Sequence, residues 1–282
     1  MLFEKTEKLI GEGGYSSVYI CKRKDINSKK RYAMKISKEY ISLQSNPRIL
    51  IEYKILQYLS GGICIPKVYS FGKENNEEGK YCIVLQLLGN NLLQEFKKCK
   101  NKFPKELYIK IALQMISRIE YLHSKGFIHC DIKPENFVLN LGYSDDPDNL
   151  TLYLIDFGLA EPYINLETKE HKQMMEKKGR KGTLDFCSMN NHSNLSLSRR
   201  DDLESLAYSL IFLLYGWLPW SNRDSSLYNN DGISNLKAEF SSYGGDLNGL
   251  PGNLKKFLDY SIKLKFEEKP NYKYLKQLIR EL

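Results

Sequence analysis

The chain has 282 residues, 42 of them lysine or arginine and 34 aspartate or glutamate, for a formal net charge of +8. A hydrophobic share of 42% and an aromatic share of 12%, including 20 tyrosines, exclude a disordered chain and allow one large domain or two packed lobes. The positive charge is diluted by interspersed acids, so it suits acidic or phosphorylated partners and is not by itself a nucleic-acid signature.

In chain order, KLIGEGGYSSVYICKR reads as two strands around a glycine-rich turn, and KKRYAMKIS alternates like a third strand. NPRILIEYKILQYLS has helical spacing at Ile51, Ile55 and Leu59, and KYCIVLQLL reads as a short buried strand. Beyond a boundary near Gly89 the pattern turns helical. FPKELYIKIALQMISRIEYLHSKG is a long helix stopped at Gly126, FVLN and LTLYLI flank GYSDDPD as a hairpin, and DDLESLAYSLIFLLYGW and LKKFLDYSIKL are further helices. The expected fold is therefore α+β: a small antiparallel-sheet lobe over 1–88 with one main helix, then a larger, mostly helical lobe over 89–282. MLFEKTEKLIGEGG has no apolar signal core, and SLIFLLYGWLPW is interrupted by Gly216 and Pro219, so no membrane segment is expected. Six cysteines are scattered without a C-x-x-C pair, which argues for reduced thiols in a cytoplasmic or nuclear protein rather than a zinc site.

The chemistry begins in GEGGYSSV, where Gly11 and Gly13 let backbone amides approach phosphate oxygens; an ordinary hairpin turn would read the same way, and Ser16 stands where a third glycine belongs. Lys35 lies inside an alternating apolar strand and Glu52 on or beside the apolar face of the next helix. Each charge is expensive there alone, and one ion pair explains both. IHCDIKPENF, at 128–137, matches Asp-x-Lys-x-x-Asn: a carboxylate to orient a hydroxyl, a lysine to steady a phosphate and an amide to hold a metal. LYLIDFGLA sets Asp156 after an apolar strand, either as a turn residue or, with Asn136, as an oxygen ligand for magnesium.

These motifs, in this order, make the chain similar to eukaryotic protein kinases over nearly its whole length. Within that group it resembles casein kinase 1, on QLLGNNL (86–92), GTLDFCSMNNH (182–192), LSRRDDLESLAYSLIFLLYGWLPW (197–220) and FEEKPNYKYLKQL (266–278). Ser188, Met189 and Asn190 stand where that family replaces the usual Ala-Pro-Glu segment. The resemblance implies an ATP- and magnesium-dependent serine/threonine kinase. Asp131 would receive or orient the substrate proton and Lys133 would steady the transferring phosphoryl group. Asn136 and Asp156 would hold Mg2+, and Lys35, fixed by Glu52, would meet the ATP phosphates. Val18 and Ala33 above, and Val138 and Ile155 below, would enclose adenine, with Leu85 as gatekeeper and Gln86 and Leu88 as hinge. Lys133 with Thr183 implies serine/threonine specificity, and Asp202 would brace the catalytic loop.

Two departures stand out. Cys130 replaces the arginine that in many kinases grips a phosphorylated activation loop, so no such switch is expected. Asp185 replaces a phosphate-binding arginine of the resembled family, leaving Lys178, Arg180, Thr183 and Arg223 as an incomplete substrate-anion site. A basic loop in solvent is the plainer reading of KKGRK. The expected partners are protein substrates with acidic or phosphorylated segments, with no direct nucleic acid and no membrane, met by a monomeric enzyme. The rival expectation is a pseudokinase scaffold, resting on Ser16 and Cys130.

Overall fold

The computed structural model of the chain describes residues 2–25, 28–38, 47–74, 80–143, 146–177, 179–221, 230–242 and 250–282. The expected α+β division holds. Five antiparallel strands, β1 (Phe3–Glu12), β2 (Ser16–Arg23), β3 (Tyr32–Ser37), β4 (Val68–Lys73) and β5 (Tyr81–Gln86), form one sheet in the order β1-β2-β3-β5-β4. The helix α1 (Arg48–Tyr58) lies against this sheet, with Ile49, Ile55 and Leu56 buried beside Glu52. β4 was not legible as a strand: VYSFGK is half-exposed at the sheet edge, where no clean alternation is imposed.

The chain leaves the sheet at Gly89, whose N–H donates to Leu139 O at 2.9 Å. A Cβ at Gly89 would stand 2.9 Å from Asn140 O, so the crossing needs the missing side chain. The helix α2 (Leu92–Lys98) follows, opened by a reciprocal cap in which Asn91 Oδ1 accepts from Gln94 N and Gln94 Oε1 accepts from Asn91 N. Then comes the 20-residue α3 (Lys105–Ser124), which buries a stripe containing Leu107, Ile111, Met115 and Leu122. It stops at Gly126, φ +88°, where a Cβ would collide with Ile164.

Two short strand pairs carry the loops of interest: β6 (Phe127–Ile128) with β9 (Glu161–Pro162), and β7 (Phe137–Leu139) with β8 (Leu152–Leu154). After the short α4 (Met189–His192), the helix α5 (Arg199–Tyr215) runs through the centre of the large lobe. It is buried on nearly every side, from Asp201, Asp202 and Glu204 in its charged first turns to Leu210, Ile211 and Leu213 in its apolar later ones. Around it pack α6 (Asn230–Ser242), α7 (Gly252–Lys263) and α8 (Tyr272–Arg280). No helix among the described residues is long and apolar enough to cross a membrane, and all six cysteines are free thiols.

Candidate active site

Between the lobes lies a cleft of about 440 Å³. Gly11, Gly13, Val18, Ala33, Lys35, Glu52, Leu85, Gln86, Leu88, Val138 and Ile155 all line it, so the sequence-predicted nucleotide residues are brought to one place. Ile10, Pro66 and Leu87 also line it, though no motif marked them. Gln86 N–H donates to Lys67 O at 2.8 Å, so any hinge contact from this residue falls to its carbonyl.

Lys35 and Glu52 are buried and bonded at 2.6 Å, and the same ammonium reaches Asp156 Oδ1 at 2.8 Å. Burial opposes the charge on Lys35, but the Glu52 and Asp156 carboxylates override it and raise its pKa. Burial pushes Glu52 upward against the pull of Lys35. Lys35 holds Asp156 at about 2, against its partial burial, so this carboxylate stays ionised at any working pH. Asp156 takes a left-handed backbone (φ 63°), which aspartate tolerates better than most residues. Behind it Phe157 is fully buried, its ring 5.3 Å from that of His129.

The loop after β6 is held from below. Asp202, in the first turn of α5, accepts from His129 N at 2.7 Å and Cys130 N at 3.0 Å. Its Oδ2 also meets His123 Nε2 at 2.9 Å, and His123 Nδ1 meets the Tyr272 hydroxyl at 2.6 Å. Burial lowers the His123 pKa, so the neutral ring donates to Asp202 and accepts from Tyr272. Burial alone would raise Asp202, yet the hydrogen bonds from His123 and from the His129 N–H help keep it below the ordinary carboxylate value. These bonds fix Cys130 in a left-handed conformation, φ 64°, that a cysteine does not choose unaided.

The next residue, Asp131, is clasped from two sides. Its Oδ1 accepts from Thr183 N and Thr183 Oγ1, both at 2.9 Å. Its Oδ2 lies 3.1 Å from Lys133 Nζ and 3.2 Å from Asn136 Nδ2. Lys133 in turn donates to Thr183 Oγ1 at 2.7 Å, and Asn136 Nδ2 donates to Asp131 O at 2.8 Å. With its nitrogen so engaged, Asn136 has its amide oxygen left to offer a ligand. Gly182, at φ +78°, makes the clasp possible: a Cβ there would stand 2.5 Å from Cys130 O.

Lys35, Glu52, Asp131, Lys133, Asp156 and Thr183 share the wall of a second, larger cleft of about 850 Å³. Arg180 lines it too, with Lys177, Lys181 and Glu161. Asp185 sits in the turn beyond, its carbonyl accepting from Trp220 Nε1 at 2.8 Å, and is not part of that lining. Lys178 and Arg223 lie outside the described residues.

One determinant of this region gave no signal in the sequence. Lys237 of α6 is fully buried and donates to Leu184 O and Cys187 O, both at 2.7 Å, tying down the turn after Thr183. The Ser188–Asn190 segment is fixed separately: Asp201 Oδ1 accepts from Ser188 Oγ at 2.7 Å and Asn190 Nδ2 at 3.0 Å. Glu204 accepts from Met189 N at 2.9 Å, and burial pushes this carboxyl up to about 7.

Compared with known families, residues 4–278 match the family model described as protein kinase domain.

Proposed function

The chain belongs to the protein kinase family, and on that premise we propose that it is an ATP-dependent serine/threonine kinase of casein kinase 1 type. One observation carries the proposal. A single cleft brings the Lys35–Glu52–Asp156 triad face to face with Asp131, Lys133 and Thr183.

In this reading the apolar walls formed by Val18, Ala33, Leu85, Val138 and Ile155 receive adenine, and Lys35 meets the phosphates. The Asp131 carboxylate accepts a hydrogen bond from the substrate hydroxyl and aims its oxygen at the γ-phosphoryl group, while Lys133 balances the charge on that group. The residues do this by position and fixed charge, with little covalent chemistry of their own. One carboxylate, Asp156, and one amide oxygen, Asn136, form a donor set that suits magnesium, which takes the rest of its shell from phosphate and water. When bound, it supplies neutralisation of phosphate charge. The serine/threonine assignment is supported by Lys133 and Thr183, and the casein kinase 1 assignment by the Ser188–Asn190 and Arg199–Ser205 segments. We assign the span to one catalytic domain, with residues 1–88 as the nucleotide lobe and 89–282 as the substrate lobe. Acidic or phosphorylated protein segments are its partners, a monomer its working form, and the cytoplasm or nucleus its compartment.

A peptide array phosphorylated with Mg-ATP tests the proposal. Labelling should fall on serine and threonine peptides with acidic or phosphorylated neighbours. Labelling of tyrosine peptides would overturn the specificity, and ATP binding without any labelling would favour the scaffold reading.

A further inference from the structure

Glu161 pairs through its backbone with Ile128 across β6 and β9, so it is anchored beside the start of the catalytic loop. Its Oε1 accepts from Lys177 Nζ at 2.6 Å and its Oε2 from Lys181 Nζ at 2.7 Å. Burial alone would raise its pKa, but the two lysines hold it below the ordinary glutamate value. Both lysines belong to the segment that must fold back over Asp131. Lys181 is also gripped through its backbone: its N–H donates to Asn191 Oδ1 at 3.1 Å, and its carbonyl accepts from Asn191 Nδ2. Gly182 and Thr183 follow directly and form the clasp on Asp131.

Where a kinase segment is ordered by phosphorylation, the anion is carried on the mobile segment and the cations on the fixed loop. Here that polarity is reversed. The fixed side has no arginine at position 130; it has a buried thiol there, and the charge it offers the segment is the Glu161 carboxylate. The segment carries the cations.

We propose that Glu161 is an internal counter-anion, a positioning residue that stands in for a segment-borne phosphate and, through Lys181, keeps Gly182 and Thr183 closed on Asp131. This deepens the kinase reading and rests on it for its catalytic consequence, though not for its anion-binding one. Without the carboxylate, two ammonium groups are left facing the same point, and that point becomes a receptor for a free anion.

The test is Glu161→Gln, which keeps the shape and removes the charge. Its kcat for peptide should fall by at least about tenfold, the scale of one lost charge-assisted hydrogen bond, with the KM for ATP little changed. Inorganic phosphate, matched in ionic strength against chloride, should raise its melting temperature saturably and restore part of kcat, with no such effect on the wild type. Glu161→Gln/Lys177→Gln/Lys181→Gln should lose the phosphate response. Phosphatase treatment should leave wild-type activity unchanged. Wild-type kcat in Glu161→Gln, or no phosphate-specific shift in its melting, would overturn the proposal. A wild type that transfers no phosphate at all would instead defeat the kinase reading, while the melting experiment still decides whether Glu161 fills an anion site.

Discussion

Gly182→Ala puts a methyl group where the segment crosses the loop after β6. Two costs arise there. Alanine at φ +78° is strained by about 1 kcal/mol relative to glycine. In addition, the new Cβ would stand 2.5 Å from Cys130 O, so the two backbones must part. Thr183 is the next residue, and its two 2.9 Å bonds to Asp131 Oδ1 take up the displacement. Hydrogen bonds to a charged group contribute about 1.5–3 kcal/mol each, so weakening both should cost about 3 kcal/mol, or about a hundredfold in kcat. Gly179→Ala is the matched control. Gly179 has φ +85° with nothing within 4 Å of its Cβ position, so it bears the backbone strain without the collision. Steady-state kinetics and thermal melts of both variants separate the effects. Gly182→Ala should lose kcat with KM for ATP largely kept, and Gly179→Ala should lose about 1 kcal/mol of stability and keep its kcat. Near-wild-type turnover in Gly182→Ala, or an equal loss in both variants, would refute the role of the clasp.

Lys35→Met strands the buried Glu52 carboxylate, and breaking such a pair costs about 3–5 kcal/mol. The melting temperature should fall sharply and recover in Lys35→Met/Glu52→Met, while neither variant turns over ATP normally. Glu204, at about 7 in the folded chain, lies above its ordinary value, so the native state binds its proton more tightly than the unfolded chain does. The contribution of Glu204 to stability should therefore decline by about 3 kcal/mol as pH rises from about 4.5 through 7, while His192, which burial holds down at about 4, contributes in the opposite direction over the same range. In Glu204→Gln the melting temperature at pH 7 should stand higher, relative to that at pH 4.5, than it does in the wild type, and an unchanged difference would show that Glu204 does not titrate in that window. Asp185→Arg should raise kcat/KM for a peptide phosphorylated three residues before the acceptor serine and change an unprimed peptide much less. Strong wild-type preference for the primed peptide, with no gain on substitution, would place the anion site elsewhere.

In the cleft between the lobes, Lys35 and Glu52 were legible because each carries a local cost that one ion pair removes, whereas Val18, Ala33, Leu85, Gln86, Leu88, Val138 and Ile155 followed only from the resemblance to protein kinases. Lys35 and Glu52 are both charges on apolar faces, and the fold buries them together. Gly126 was legible as a helix stop because glycine is the residue that most readily takes the left-handed φ found there. Lys237 was not legible. Within ISNLKAEF it reads as an ordinary solvent-facing lysine, and only the packing of α6 against the turn after Thr183 buries it over two carbonyls. The Glu161 bridge was not legible for a related reason. Its partners lie 16 and 20 residues away, across a loop whose path no periodicity describes. The cap of α2 was readable in principle, since Asn91 and Gln94 have the spacing of a reciprocal helix cap.

The most direct test of the account follows γ-phosphoryl transfer from labelled Mg-ATP to a serine peptide, in the wild type and in Asp131→Asn, with ATP affinity measured for both. Labelled serine is expected for the wild type. For Asp131→Asn, wild-type ATP binding is expected with a loss of about 2–4 kcal/mol in transition-state stabilisation, or roughly 30- to 1000-fold in rate. Equal rates in the two proteins, or a wild type that binds ATP and transfers nothing, would contradict the proposed function.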